Sequence, residues 1–126
     1  MIHSPDVSVV LRTYTEERWD SLITGIEALQ NQTKPPAEIV LVVDHNPLLL
    51  ERVRATFPNV VVVENYHARG SPGAWNSGIA ATKNEIVAFT DDDAVAAPNW
   101  LERLVLHYES PAVFGVGGTI EPIWEK

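Results

Sequence analysis

The chain has 126 residues, 17 of them acidic and 9 basic, for a formal net charge of −8; that length is enough for one domain with its own hydrophobic core. A content of 45% hydrophobic and 21% charged residues is that of a globular domain rather than a disordered chain. The acidic balance argues against nucleic acid as a partner, and the lack of cysteine excludes thiol catalysis, disulfide frameworks and thiolate zinc sites.

Val7 to Leu11 is a short, β-branched apolar run and reads as a buried strand. From Arg18 to Asn31, the residues Trp19, Leu22, Ile23, Ile26 and Leu29 recur at helical spacing and form one apolar stripe. Pro35-Pro36 breaks the chain before a second strand, Ile39 to Val43, which ends in Asp44-His45-Asn46-Pro47. Pro47 suits the first turn of a helix that carries Leu50, Val53 and Phe57 and stops at Pro58-Asn59. Val60 to Glu64 is a third strand; the turn-rich stretch Asn65 to Gly73 then leads into a short helix over Ala74 to Thr82. Glu85 to Thr90 is a fourth strand, followed directly by Asp91-Asp92-Asp93. Pro98 opens a helix with Trp100, Leu101, Leu104, Val105 and Tyr108, and Val113 to Val116 is expected as a fifth strand ended by Gly117-Gly118.

Alternating strands and helices with fully apolar strands predict an α/β fold, a parallel sheet covered on both faces. In such sheets ligands gather at the carboxyl ends of strands. No apolar run approaches the roughly 20 residues of a membrane span. Met1 to Asp6 has neither the basic start nor the apolar run of a signal peptide. The expected compartment is the cytoplasm, with peripheral membrane attachment left open.

Thr90-Asp91-Asp92-Asp93 is the strongest chemical signal. Successive side chains diverge, so Asp91 and Asp93 can share one side while Asp92 faces the other. Two converging carboxylates make a hard-oxygen site suited to magnesium or manganese, which would bridge the phosphates of a nucleotide. The bland alternative is a solvated acidic turn that caps the next helix. Asp44 ends an apolar strand and can accept hydrogen bonds from a base or ribose. The alternative is a helix cap, for which Asn46 is the better placed residue. After the first strand, Glu16 or Thr15 can simply open the next helix. Gly70 to Gly78 permits close backbone approach and Arg69 suits a phosphate, yet the stretch is neither a P-loop nor a dinucleotide fingerprint. Trp19 and Trp100 read as core; Trp124 is a candidate sugar platform with little support, and His3, His45 and His107 have no partner that sequence identifies.

These segments, in this order, resemble the N-terminal part of a family 2 glycosyltransferase. Val7 through Glu16 resembles the opening strand and its Tyr-Asn-Glu-type ending, and Val42-Val43-Asp44-His45-Asn46 the second-strand Val-Asp-Asp/Asn segment. Arg69-Gly70 through Gly78 resembles the Gly-x-x-x-Ala-Arg-Asn-x-Gly segment, and Phe89 through Asp93 the Asp-x-Asp (DXD) strand end. Thr15 stands where Asn is common in the family and Trp75 where Arg is common.

The resemblance implies a Rossmann-like GT-A fold, a three-layer α/β/α arrangement with a mostly parallel sheet, over residues 1–126 as a single nucleotide-sugar-binding domain. It implies inverting transfer of a hexose from a nucleotide-diphosphate sugar, a UDP-sugar by expectation, to a glycan or lipid-linked acceptor. Thr13, Glu16 and Asp44 would line the nucleoside pocket, with Arg69 and Asn76 beside the nucleotide. Asp91 would approach the ribose or metal, Asp93 would hold the metal, manganese or magnesium, and Asp92 is the second-choice ligand. The family's general base lies beyond the Asp-x-Asp strand, and neither Glu121 nor Glu125 sits in a recognisable base motif, so the chain reads as a donor-binding half. Two other readings stand beside this one: a nucleotidyltransferase, which lacks its glycine-rich basic loop here, and a non-catalytic nucleotide-binding module. A sheet lacking its acceptor half is expected to self-associate through an exposed edge, and peripheral attachment would be at the inner face of the membrane.

Overall fold

In a computed structural model that describes residues 6–84, 86–106 and 123–125, the alternating segments form one sheet with helices on both faces. The chain order is β1 (Val7–Thr13), a 3-10 turn (Glu16–Arg18), α1 (Trp19–Gln30), β2 (Glu38–Val43), α2 (Pro47–Thr56), β3 (Val61–Glu64), α3 (Ser71–Ala81), β4 (Ile86–Asp91), α4 (Trp100–Leu106) and β5 (Ile123–Glu125). Across the sheet the strands run β3-β2-β1-β4-β5. β1 is parallel to both β2 and β4, β3 is parallel to β2, and β5 is antiparallel to β4. The carboxyl ends of β2, β1 and β4 therefore lie side by side, with β1 in the middle.

The period of two along each strand divides the core. Val7, Val9 and Leu11 of β1, with Ile39, Leu41 and Val43 of β2 and Ile86 and Ala88 of β4, pack under α1, α2 and α4. On the other face Val10, Val40, Val42, Val87 and Phe89 pack under α3. Because both faces are covered, the strands read as continuous apolar runs, as the three-layer expectation requires. α3 comes close to the sheet because Gly78 has no side chain: a Cβ there would collide with Val10 and stand 3.0 Å from Val42 Cγ2. Trp100 is core, as expected. Trp19 is only half-buried, its ring 6.1 Å from that of Phe57 and 3.7 Å under the Arg52 guanidinium.

The element boundaries differ from the sequence reading where hydrogen bonding outruns hydrophobicity. β1 continues past Leu11 because Arg12 and Thr13 stay in the ladder with Val42 and Val43 of β2. α3 starts at Ser71, directly after Gly70, whose φ of 126° ends the preceding loop in a conformation that favours glycine. α4 starts at Trp100 rather than Pro98, after a turn closed by Trp100 N donating to Ala97 O at 3.0 Å. The strand expected over 113–116, its glycine end, Tyr108, Glu121, His3 and His107 lie outside the described residues. The fifth strand that is described, Ile123–Glu125, includes Trp124, opposite Val87.

Candidate active site

Asp44 follows the last residue of β2, and its amide donates to Thr13 O at 2.9 Å, which fastens the ends of β2 and β1 together. The helix cap falls to Asn46, whose Oδ1 accepts from Leu49 N at 3.1 Å, so Asp44 is free for another task. Its carboxylate is fully buried, and three donors converge on it. Asn65 Nδ2 reaches Oδ1 at 2.8 Å, while Arg12 Nε at 3.1 Å and Gly70 N at 3.0 Å reach Oδ2. Burial alone would raise the Asp44 pKa, but the bonds from Asn65, Gly70 and Arg12 outweigh it and hold the carboxyl below its usual range. Asn65 in turn accepts from Ser77 Oγ at 3.0 Å and from His67 N at 2.9 Å, which ties the loop before α3 to the helix itself. Asp44 thereby joins the ends of β1 and β2 to the loop that leads into α3, through Arg12, Asn65 and the Gly70 amide.

The aspartate triplet divides where β4 ends at Asp91 and the chain turns, leaving one carboxylate buried and two more open to solvent. Asp92 turns inward and is buried, accepting from Thr13 Oγ1 at 3.0 Å and from Arg18 Nη1 at 3.0 Å. Asp93 is exposed, with its Oδ2 3.8 Å from Arg18 Nη1. Asp91 is half-buried, stands opposite Arg12 in the β1–β4 ladder, and accepts from Asp92 N at 2.9 Å. Burial, together with the negative charges of Asp92 and Asp93, raises the Asp91 pKa, against the Asp92 amide bond that lowers it. One carboxylate oxygen from each of the three lies within 4.8 Å of the others. This is a hard-oxygen donor set that fits magnesium or manganese, with Asp91 and Asp93 the members that accept no hydrogen bond from a cationic side chain among the described residues.

The remaining expected residues spread around this centre. Glu16 points to α2, 3.3 Å from Arg52, on the exposed surface. Arg69 is exposed and donates to His45 O at 3.3 Å, and Asn76 is exposed on α3. His45 is held at a φ of 55°, with its Nε2 2.8 Å from His67 O. Three participants were not singled out from the sequence: Arg12, Asn65 and Arg18. For two of them a signal exists. Arg12 is a charge inside the ladder of a buried strand and needs a buried counter-charge, and Asn65 follows β3 as Asp44 follows β2.

The sequence matches the family model described as glycosyl transferase family 2 over residues 8–125. The chain belongs to that family. A glucosyl-dolichyl phosphate glucuronosyltransferase of Haloferax volcanii is 40% identical over 122 residues, 94% of this chain and 39% of that protein. A second protein of the same organism, the glycosyltransferase AglE, is 30% identical over 93% of this chain and 40% of its own length. Among solved structures, the mannosyltransferase PcManGT from Pyrobaculum calidifontis, in complex with GDP-Man and Mn2+, superposes with a TM-score of 0.74 at 27% identity, covering 91% of this chain and 35% of that one. This glycosyltransferase family 2 chain thus has the GT-A fold and spans about two fifths of the length of these relatives.

Proposed function

We propose that the chain forms the donor-binding side of a metal-assisted, inverting glycosyltransferase that takes a hexose from a uridine diphosphate sugar to a hydroxyl of a glycan or lipid-linked acceptor. The observation that carries this reading is the aspartate triplet at the carboxyl end of β4, with three carboxylate oxygens within 4.8 Å of one another beside the ends of β1 and β2. Support comes from the Pyrobaculum structure, which holds a nucleotide sugar and Mn2+, and from a Haloferax relative named for a dolichyl phosphate substrate. In this reading Asp93 and Asp91 hold the metal and Asp91 also faces the ribose. Asp92 fixes the triplet, while Thr13 and Asp44 set the nucleoside side through the contacts described, with Glu16, Arg69 and Asn76 around its rim. Asp93 and Asp91 would hold a manganese or magnesium ion, which would supply positive charge to stabilise the departing diphosphate. Among the described residues none is assigned as the base that takes the acceptor's proton.

A lipid-linked acceptor would bring the chain to the inner face of a membrane as a peripheral protein; no helix among the described residues is long and apolar enough to cross one. Self-association through an exposed sheet edge is part of the same proposal, and sedimentation velocity over a range of concentrations tests it. The donor itself is tested by calorimetric titration of UDP, UDP-glucose and GDP-mannose with manganese, with chelator, and on Asp93→Ala. Metal-dependent binding of the uridine ligands, lost in Asp93→Ala, is expected. Binding of GDP-mannose alone would replace uridine with guanosine, and no binding by any of them would overturn the reading.

A further inference from the structure

Resting on that donor-site reading, we propose that Arg18 is a diphosphate-binding residue whose guanidinium also serves as the resident counter-charge of the aspartate triplet. Arg18 ends the 3-10 turn that follows β1, a turn whose entry is fixed by Glu17 N donating to Thr15 Oγ1 at 3.2 Å. From there its Nη1 bonds Asp92 Oδ1 at 3.0 Å and lies 3.8 Å from Asp93 Oδ2. The two contacts differ in kind. Asp92 is closed to solvent and held on its other oxygen by Thr13, so this ion pair is a fixed post. Asp93 is 56% exposed and beyond hydrogen-bond distance, so it can leave Arg18 for a cation without breaking a bond.

A guanidinium carries its N–H donors on three nitrogens in a planar fork. Among the described residues only Nη1 of Arg18 is engaged by a carboxylate; Nε and Nη2 are left over, and the side chain is 36% exposed at the same edge. The guanidinium carbon lies 5.4 Å from the centroid of the Tyr14 ring, which limits where the fork can point. Three carboxylates against one guanidinium leave a net local charge that a divalent cation would cancel. A diphosphate arriving with that cation brings new negative charge to the same place. Arg18 is the cationic side chain already bonded to the triplet, and its spare donors match a pair of phosphate oxygens.

A purely structural Arg18 and a phosphate-binding Arg18 make opposite forecasts. If the ion pair only braces the triplet, removing it loosens the site and weakens both metal and nucleotide. If Arg18 is a resident cation and a phosphate ligand, removing it strengthens the metal alone and weakens the nucleotide. The experiment measures Mn2+ binding by calorimetry without nucleotide, and UDP binding at saturating Mn2+, on wild type, Arg18→Gln and Arg18→Lys. For Arg18→Gln, Mn2+ affinity is expected to rise roughly threefold or more through loss of a nearby positive charge, and UDP affinity to fall by about tenfold or more through loss of a charge-assisted contact. Both affinities falling together, or UDP affinity unchanged, would overturn the proposal. Should Arg18→Gln fail to fold by circular dichroism, Arg18→Lys decides. It keeps the charge and loses the fork, so Mn2+ affinity should hold while UDP affinity falls roughly threefold or more, and any other pattern overturns the proposal. A wild-type chain that binds neither Mn2+ nor UDP sinks the donor reading itself, a result distinct from wild-type binding with the wrong response to substitution.

Discussion

Both oxygens of Asp44 are engaged inside the protein, by Arg12, Asn65 and the Gly70 amide, and this makes one side chain the junction of β1, β2, β3 and α3. Asp44→Asn would remove the Arg12–Asp44 ion pair and set an amide against one of the three donors, at a cost of about 3 kcal/mol or more in denaturant unfolding at neutral pH. The native pKa of Asp44 lies below its ordinary value, so its ionised form contributes stability that is present above about pH 4 and is lost as the pH falls through the lower native value. The stability gap between wild type and Asp44→Asn should therefore narrow on acidification; a gap independent of pH would count against the bonding described. Asp91 works in the other direction. Its charge is half-buried beside two like charges, so Asp91→Asn should raise the melting temperature of the metal-free chain while weakening Mn2+ binding, a conflict between stability and function read by paired melting and titration. Asp44 and the triplet were legible in the sequence because each stands at the end of an apolar run where the bland explanation was already taken or strained. Arg12, Arg18 and Asn65 were not singled out, because their partners lie 32, 74 and 21 residues away and are chosen by strand order.

At the level of elements, two contacts without large side chains set the distances that matter. α3 rests on β1 and β2 at Gly78, and its leading loop passes so close that a Cβ on Gly73 would stand 2.5 Å from Ala68 O. Gly78→Ala gains about 1 kcal/mol of helix propensity but drives a methyl into the β-branched Val10 and Val42. The expected net result is a loss of about 1–2 kcal/mol in thermal or denaturant unfolding; a stabilised variant would mean that α3 sits farther from the sheet than described. The glycine-rich segment read from the sequence as a loop entering a helix with room for close approach, but which strands α3 would approach depends on the sheet beneath. On the opposite face the loop after the triplet is held by the buried Gln32, which donates to Ala97 O at 2.7 Å and accepts from Leu101 N at 2.9 Å. Gly25 of α1 leaves room there for the Ala94 carbonyl, 3.0 Å from where a Cβ would be. Gln32 lies just past the predicted helix end, where nothing local distinguishes it from a solvated polar residue.

For the whole molecule, the strand order is what turns scattered motifs into one site. With β1 between β2 and β4, Arg12 stands between Asp44, which it bonds, and Asp91, its ladder neighbour, and Thr13 reaches across to Asp92. The alternation of strands and helices predicted a parallel sheet, but which strands are neighbours is a property of the folded chain that no local pattern states. The same arrangement concentrates negative charge at one edge of a chain that already carries a net charge of −8. Nucleotide and metal should therefore bind as a unit, because a diphosphate alone meets repulsion that only a cation relieves. Binding to the folded state alone adds about 2.7 kcal/mol at a hundredfold excess over Kd, which for a domain of this size is a rise of roughly 8 °C or more in melting temperature. UDP with Mn2+ should produce that rise, either component alone should produce much less, and chelator should abolish it. An equal rise with UDP in chelator would show that the phosphates are held by side chains without a metal, and would shift the weight of donor binding from Asp91 and Asp93 to the arginines at the same edge.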